Sequence, residues 1–166
     1  MILPFSQFFD KEKQKPTFFM EKIYRLMLWN SDEIKSFANV IKSDISRTVF
    51  FDKEISFNSQ PKIHTISADF KNRWQVGRKI HAVYNNRQKN QFQFAPTFTV
   101  KGIQTIEIKW IMPPCQITVK IDNKLLSLKD IQRLAINDGF ENLGEFTSWF
   151  NTDFKGKIIH FTDFIY

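Results

Sequence analysis

The sequence predicts an α+β fold, a small β-barrel or strongly curved sheet with flanking helices, and three observations lead there. Segments rich in β-branched and aromatic residues follow one another from Pro61 to Ile121. An amphipathic helical pattern precedes them, and two short helices marked by their N-caps follow. Strands in succession, with helices segregated to the two ends, form the pattern of an α+β domain.

The first helix is expected over about 17–28. Pro16-Thr17 suits a helix start, and Phe19, Ile23 and Leu26, backed by Met20, Tyr24 and Met27, recur at the three-and-four spacing of a wide buried face. The stretch 30–60 is read as an insertion or flap, with a second helix that could begin at Ser31-Asp32-Glu33. Strands are expected at Lys79 to Tyr84, Gln93 to Ile108 and Gln116 to Ile121, the last alternating as Ile117, Val119 and Ile121 before an Asp122-Asn123 turn. Ser127 with Asp130, and Asn142 with Glu145, each put an acceptor at the N-cap and a carboxylate at N3, where both meet free backbone N–H groups. Ile131, Leu134 and Ala135 are assigned to the core from the first of these helices, and Phe146, Trp149 and Phe150 from the second. Asp138-Gly139 separates the two, and Lys157 to Phe161 reads as a final strand after a Lys155-Gly156 turn.

At 166 residues the chain is expected to form one domain, 1–166, large enough to bury a real core. Cys115 is the only cysteine, which excludes an internal disulfide and a cysteine-based zinc site and suits a cytoplasmic protein. His64, His81 and His160 lack metal-ligand spacing, so neither a metal nor another cofactor is expected. Nothing at the N-terminus reads as a signal peptide, and no apolar run is long enough for a membrane span.

Charge is localised. Between Pro61 and Ile106 eight basic residues face Asp69 alone, a net +7 that equals the charge of the whole chain, while the rest balances at 16 basic against 16 acidic. Cations interleaved with Trp74, Tyr84 and several phenylalanines supply the two ingredients of nucleic-acid contact, charge for phosphates and π-faces for bases. The same composition also fits a solvated basic face over an aromatic core.

Lys62 and Thr65 open this segment. Three residues apart, they point to opposite faces of a regular strand and converge only if the chain turns at Pro61. A converged pair could act as amine base and hydroxyl nucleophile, provided that neighbouring cations or burial disfavour the charged amine. His64 reads either as a structural histidine or as part of such a site.

The run Pro61-Lys62-Ile63-His64-Thr65-Ile66, then Asn72-Arg73-Trp74 with Val76-Gly77, then Leu134-Ala135 through Asp138-Gly139-Phe140, and finally Phe154 to Thr162, together resemble the ASCH family. The opening Ile2-Leu3-Pro4-Phe5 and the Pro16-Thr17-Phe18-Phe19 helix start resemble its longer members from bacteria and phages. The likeness spans nearly the whole chain outside 30–60. It implies a PUA-like small β-barrel with flanking α-helices that binds nucleic acid, RNA in preference to DNA, or a modified nucleoside, with His64, Ser67, Arg73, Trp74, Arg78, Lys79 and Tyr84 as candidate contacts. It also implies an alternative, a metal-independent amidohydrolase that deacylates acetylated cytidine. There Lys62 would be the base, Thr65 the nucleophile and Asp138, where those enzymes carry glutamate, the acid that orients the lysine. A ribonuclease is a third reading. Gln60-Pro61 and Ser67 stand where the family commonly has glycine and arginine.

Overall fold

The computed structural model describes residues 1–9, 15–28, 60–111 and 116–166. The expected insertion and second helix at 30–60 lie outside these residues apart from Gln60, as does Cys115. The described chain is a mixed α+β protein of nine strands and three helices, dominated by sheet. Its contacts divide it into two units, one of Met1–Lys62 with His81–Thr97 and the other of Ile63–Ile80 with Phe98–Tyr166.

In the first unit, β1 (Ile2–Pro4) lies parallel to β3 (Lys79–Tyr84), Leu3 opposite Ala82, and β4 (Phe92–Gln93) pairs antiparallel on β3. Helix α1 (Phe19–Leu28) buries Phe19, Met20, Ile23 and Leu26, the stripe that the spacing predicts. It begins two residues later than expected, because the Thr17 hydroxyl donates to the Ser6 carbonyl at 2.7 Å and Phe18 takes a positive φ of 52°. The Tyr84 ring packs 4.7 Å from Phe94, and its hydroxyl accepts the Met20 N–H at 3.3 Å.

The second unit is built on a five-stranded sheet in the order β2-β9-β6-β7-β8. Its strands are β2 (His64–Ser67), β6 (Gly102–Ile111), β7 (Gln116–Ile121), β8 (Lys124–Leu125) and β9 (Phe154–His160), all antiparallel to their neighbours. Along β6, Gly102, Gln104, Ile106 and Ile108 are buried at every second position, as a strand with one covered face requires. The expected strand from Gln93 to Ile108 is broken into β4, β5 (Phe98–Thr99) and β6. Pro96, which has no N–H to give to a ladder, sits in the first break. Asp122 and Asn123, both at positive φ, make the tight turn into β8. Among the described residues neither sheet order closes on itself.

Helices α2 (Leu128–Asn137) and α3 (Leu143–Trp149) carry the predicted caps. Ser127 Oγ accepts the Asp130 N–H at 3.2 Å and Asn142 Oδ1 accepts that of Glu145 at 3.0 Å, each worth about 1 kcal/mol. Gly139, at φ 92°, ends α2: its N–H reaches Ile136 O and that of Phe140 reaches Ala135 O, closing the last carbonyls. Ile131, Leu134, Ala135, Phe146 and Phe150 are buried as expected, but Trp149 is 39% exposed. The core under α3 is filled instead by Phe140, 5.5 Å from the Phe146 ring, and by Phe154, 5.0 Å from that of Phe150. The final strand also differs from expectation, since Lys155 and Gly156 lie inside β9 and not in a turn before it. A Cβ at Gly156 would meet the Ser67 carbonyl oxygen at 2.6 Å, so the close approach of β2 requires glycine there.

Candidate functional site

Residues 68–78, between β2 and β3 in the second unit, form an exposed segment around one buried carboxylate. Asp69 Oδ1 accepts the Arg73 N–H at 3.0 Å and Oδ2 that of Trp74 at 2.9 Å, while the Asp69 carbonyl accepts the Asn72 N–H at 3.1 Å. This is the local side-chain-to-backbone bonding by which aspartate shapes turns. Burial pushes the Asp69 carboxyl up, but those two N–H groups and the Lys157 ammonium, 3.6 Å from Oδ2, outweigh it and hold the group below its ordinary range. It is therefore an anion that faces inward.

A second turn follows. Arg78 N–H donates to the Gln75 carbonyl at 3.1 Å across Val76 and Gly77, and the φ of 81° at Gly77 is one that a side chain rarely adopts. Gly77 N–H and Arg78 O pair with Val100 at 2.8 and 2.9 Å, tying the end of the segment down. With Trp74 buried as the internal plug, the side chains left outside include Phe70, Lys71, Arg73, Val76, Arg78 and the first residue of β3, Lys79. Phe70 is 87% and Val76 65% exposed.

The same unit encloses a polar cluster. The Asn137 amide donates to the Tyr166 hydroxyl at 2.8 Å, and that hydroxyl lies 2.8 Å from His64 Nε2. On the other side of the ring, His64 Nδ1 faces Asp138 Oδ1 at 3.5 Å. Asp138 Oδ1 also accepts the Ile66 N–H at 3.2 Å, fastening the end of α2 to β2. Burial raises the Tyr166 hydroxyl far above its usual range. His160 meets His64 edge to face with ring centres 5.5 Å apart, and neither His160 ring nitrogen is hydrogen-bonded among the described residues. Burial, reinforced by His64 and opposed by Asp122, lowers it to about 4, so the ring is neutral. His64, Asp138 and His160 are all buried, and the cluster works as an internal fastening.

The residues that the resemblance groups as catalytic distribute as follows. Lys62 belongs to the first unit, where it is 1% exposed with its ammonium 4.4 Å from the centre of the Phe19 ring. Thr65 and Asp138 belong to the second. Alternation along β2 sends the half-buried Thr65 and Ser67 side chains to the face opposite His64, and it is His64 that meets Asp138.

Among the expected ligand contacts, Arg73, Arg78 and Lys79 are exposed together on the segment just described. Trp74 and Tyr84 correct the expectation of a base platform, since both rings are buried and present no open face. On this segment the aromatic side chain that does so is Phe70, and neither it nor the anchoring role of Asp69 is among the expectations from sequence. The aspartate could have been found from its place four and five residues ahead of two N–H groups in a turn-rich run. Nothing local marks a phenylalanine as exposed.

Among the described residues no group of three or more His, Cys, Asp or Glu is placed to hold a metal ion, and no helix is long and apolar enough to cross a membrane. Comparisons with protein-family models, with curated proteins and with solved structures find no match to this chain.

Proposed function

We propose that this chain is a nucleic-acid-binding domain of the ASCH type, related to the PUA fold, and that it holds RNA in preference to DNA through the basic segment between β2 and β3. The observation that carries the reading is the exposure of Lys71, Arg73, Arg78 and Lys79 on a stretch whose only acid, Asp69, is buried and bonded to backbone N–H groups. That carboxylate is buried and shapes the backbone, and of these four side chains the ion pair it makes at 3.7 Å is with Arg73, whose own side chain stays exposed. Because the Asp69 and Val100 hydrogen bonds already fix the segment, a bound strand does not have to order it. The preference for RNA comes from the resemblance, as does the PUA-like description, which the sheet-dominated second unit with its two capped helices supports.

Arg73→Gln combined with Arg78→Gln tests the reading. Neutral replacements are chosen because a glutamate at 73 would stand beside the Asp69 carboxylate, 3.7 Å from the present Arg73 Nε. Each phosphate contact on a single strand contributes about 0.7 to the slope of log affinity against log salt. The double variant should therefore weaken binding of an RNA oligonucleotide at low salt and flatten that slope by about 1.4. Lys120→Gln with Lys124→Gln, also exposed but on β7 and β8, should change neither. Equal losses from both pairs would reduce the segment to part of a diffuse field, and affinity independent of salt would point to a free nucleoside as the ligand.

A further inference from the structure

We infer that Phe70 is a stacking platform for an unpaired base, so that the partner of the basic segment is a single strand and not a duplex. The inference rests on the nucleic-acid reading of that segment and adds what the cations alone do not specify. Cations recognise the phosphate backbone of single and double strands alike. An aromatic face takes a base only when that base has left its own stack.

Phe70 is 87% exposed, the most exposed of the large apolar residues described, yet it follows directly on an anchored residue. Asp69 is held on both carboxylate oxygens and by its own carbonyl, so the backbone that carries the ring is fixed even though the ring is not covered. Leaving a phenylalanine in water forgoes the burial that normally places it inside. Here it stands next to Lys71 in sequence, with Arg73, Arg78 and Lys79 exposed on the same segment. A π-face flanked by cations is complementary to a base flanked by phosphates. Anionic lipid would also attract these cations, but Phe70 and Val76 are only two apolar side chains, and interfacial insertion draws on a broad apolar face. One base needs a single ring.

The test uses the full chain with three labelled probes of equal phosphate count per strand: a single-stranded oligouridine of about ten nucleotides, its duplex with oligoadenosine, which carries twice the total charge and should still bind no better than the single strand, and an abasic strand. Phe70→Ala should weaken the oligouridine about tenfold or more, the range that loss of one stacked base gives. It should leave the abasic strand and the salt slope unchanged, and Phe70→Trp should keep the affinity for the oligouridine. Since the side chain is exposed, the alanine variant should keep the melting temperature of the parent. Oligouridine affinity equal in parent and Phe70→Ala, with Arg73→Gln/Arg78→Gln still impaired, would overturn the stacking role and leave the nucleic-acid reading standing. Absence of any effect from the arginine pair would overturn that reading and the inference with it. Loss of binding to anionic phospholipid vesicles in Phe70→Ala, with oligouridine unaffected, would assign the ring to a membrane surface and overturn the inference in that direction.

Discussion

Phe146→Ala should destabilise the protein by about 3–5 kcal/mol, the range for removing a large buried aromatic ring. The ring is fully buried in the second unit, 5.5 Å from Phe140 and 4.9 Å from Phe150, so truncation leaves a cavity that these two rings fill only by shifting. Trp149→Ala, three positions along the same helix, should lose about 1 kcal/mol, because much of that ring remains in water and its described ring contact is a tilted one with Phe140. Denaturant unfolding of the two variants checks the pair of values. A tryptophan variant as unstable as the phenylalanine one would reverse the assignment of the helix face.

Acidification should expose His160. Its ordinary value is 6.5, and burial with the neighbouring His64 brings it to about 4 in the fold. Between those values the unfolded chain binds a proton that the native one excludes, so stability is fully present above about pH 6.5 and falls as the pH drops toward 4. From pH 7 to 4.5 the loss amounts to about 2–3 kcal/mol. Asp69 and Asp122 act in a lower window: both are held below the ordinary 3.8, and the stability they contribute is lost only as the pH falls past that value. Glu21 acts in the opposite sense. Burial raises it above 4.5, so what its ionisation takes from stability at neutral pH returns on acidification. The clean measurement is therefore a difference. His160→Leu should gain about 2–3 kcal/mol relative to the parent between pH 7 and pH 4.5 in urea unfolding. A constant gap between the two proteins would mean that the ring is already charged or not buried.

What the sequence made legible was local. The Ser127 and Asn142 caps, the Gly139 stop and the alternating strand at Gln116–Ile121 each depend on neighbours within a few residues, and each appears as expected. The failures involve partners distant in the chain. β1 is three residues ending in proline, and only its parallel pairing with β3 makes it a strand. Phe146, Trp149 and Phe150 share the spacing of one helical face, but Phe140 and Phe154, outside that helix, decide which rings are covered. The basic character of the candidate site was plain from charge. Its geometry was not, because whether Trp74 or Phe70 turns inward depends on how the Asp69 bonds shape the turn, and hydrophobicity alone would bury both. The contact of His64 with Asp138 joins a strand to the end of a remote helix and left no local trace.

The order of strands in the larger sheet has a kinetic consequence. β9 is the last strand in sequence, yet it occupies an interior position, pairing with β2 on one side and β6 on the other. During synthesis β6, β7 and β8 can zip together as successive antiparallel neighbours, while β2 finds its partner in this sheet only when β9 arrives. Closing so long a stretch of chain is the slow kind of event in folding. β9 also delivers Lys157, the cation beside the Asp69 carboxylate. The turn that carries the exposed phenylalanine and arginines thus receives the Lys157 ammonium from the last of this sheet's strands to be made, so that its charged support is complete only when the sheet is.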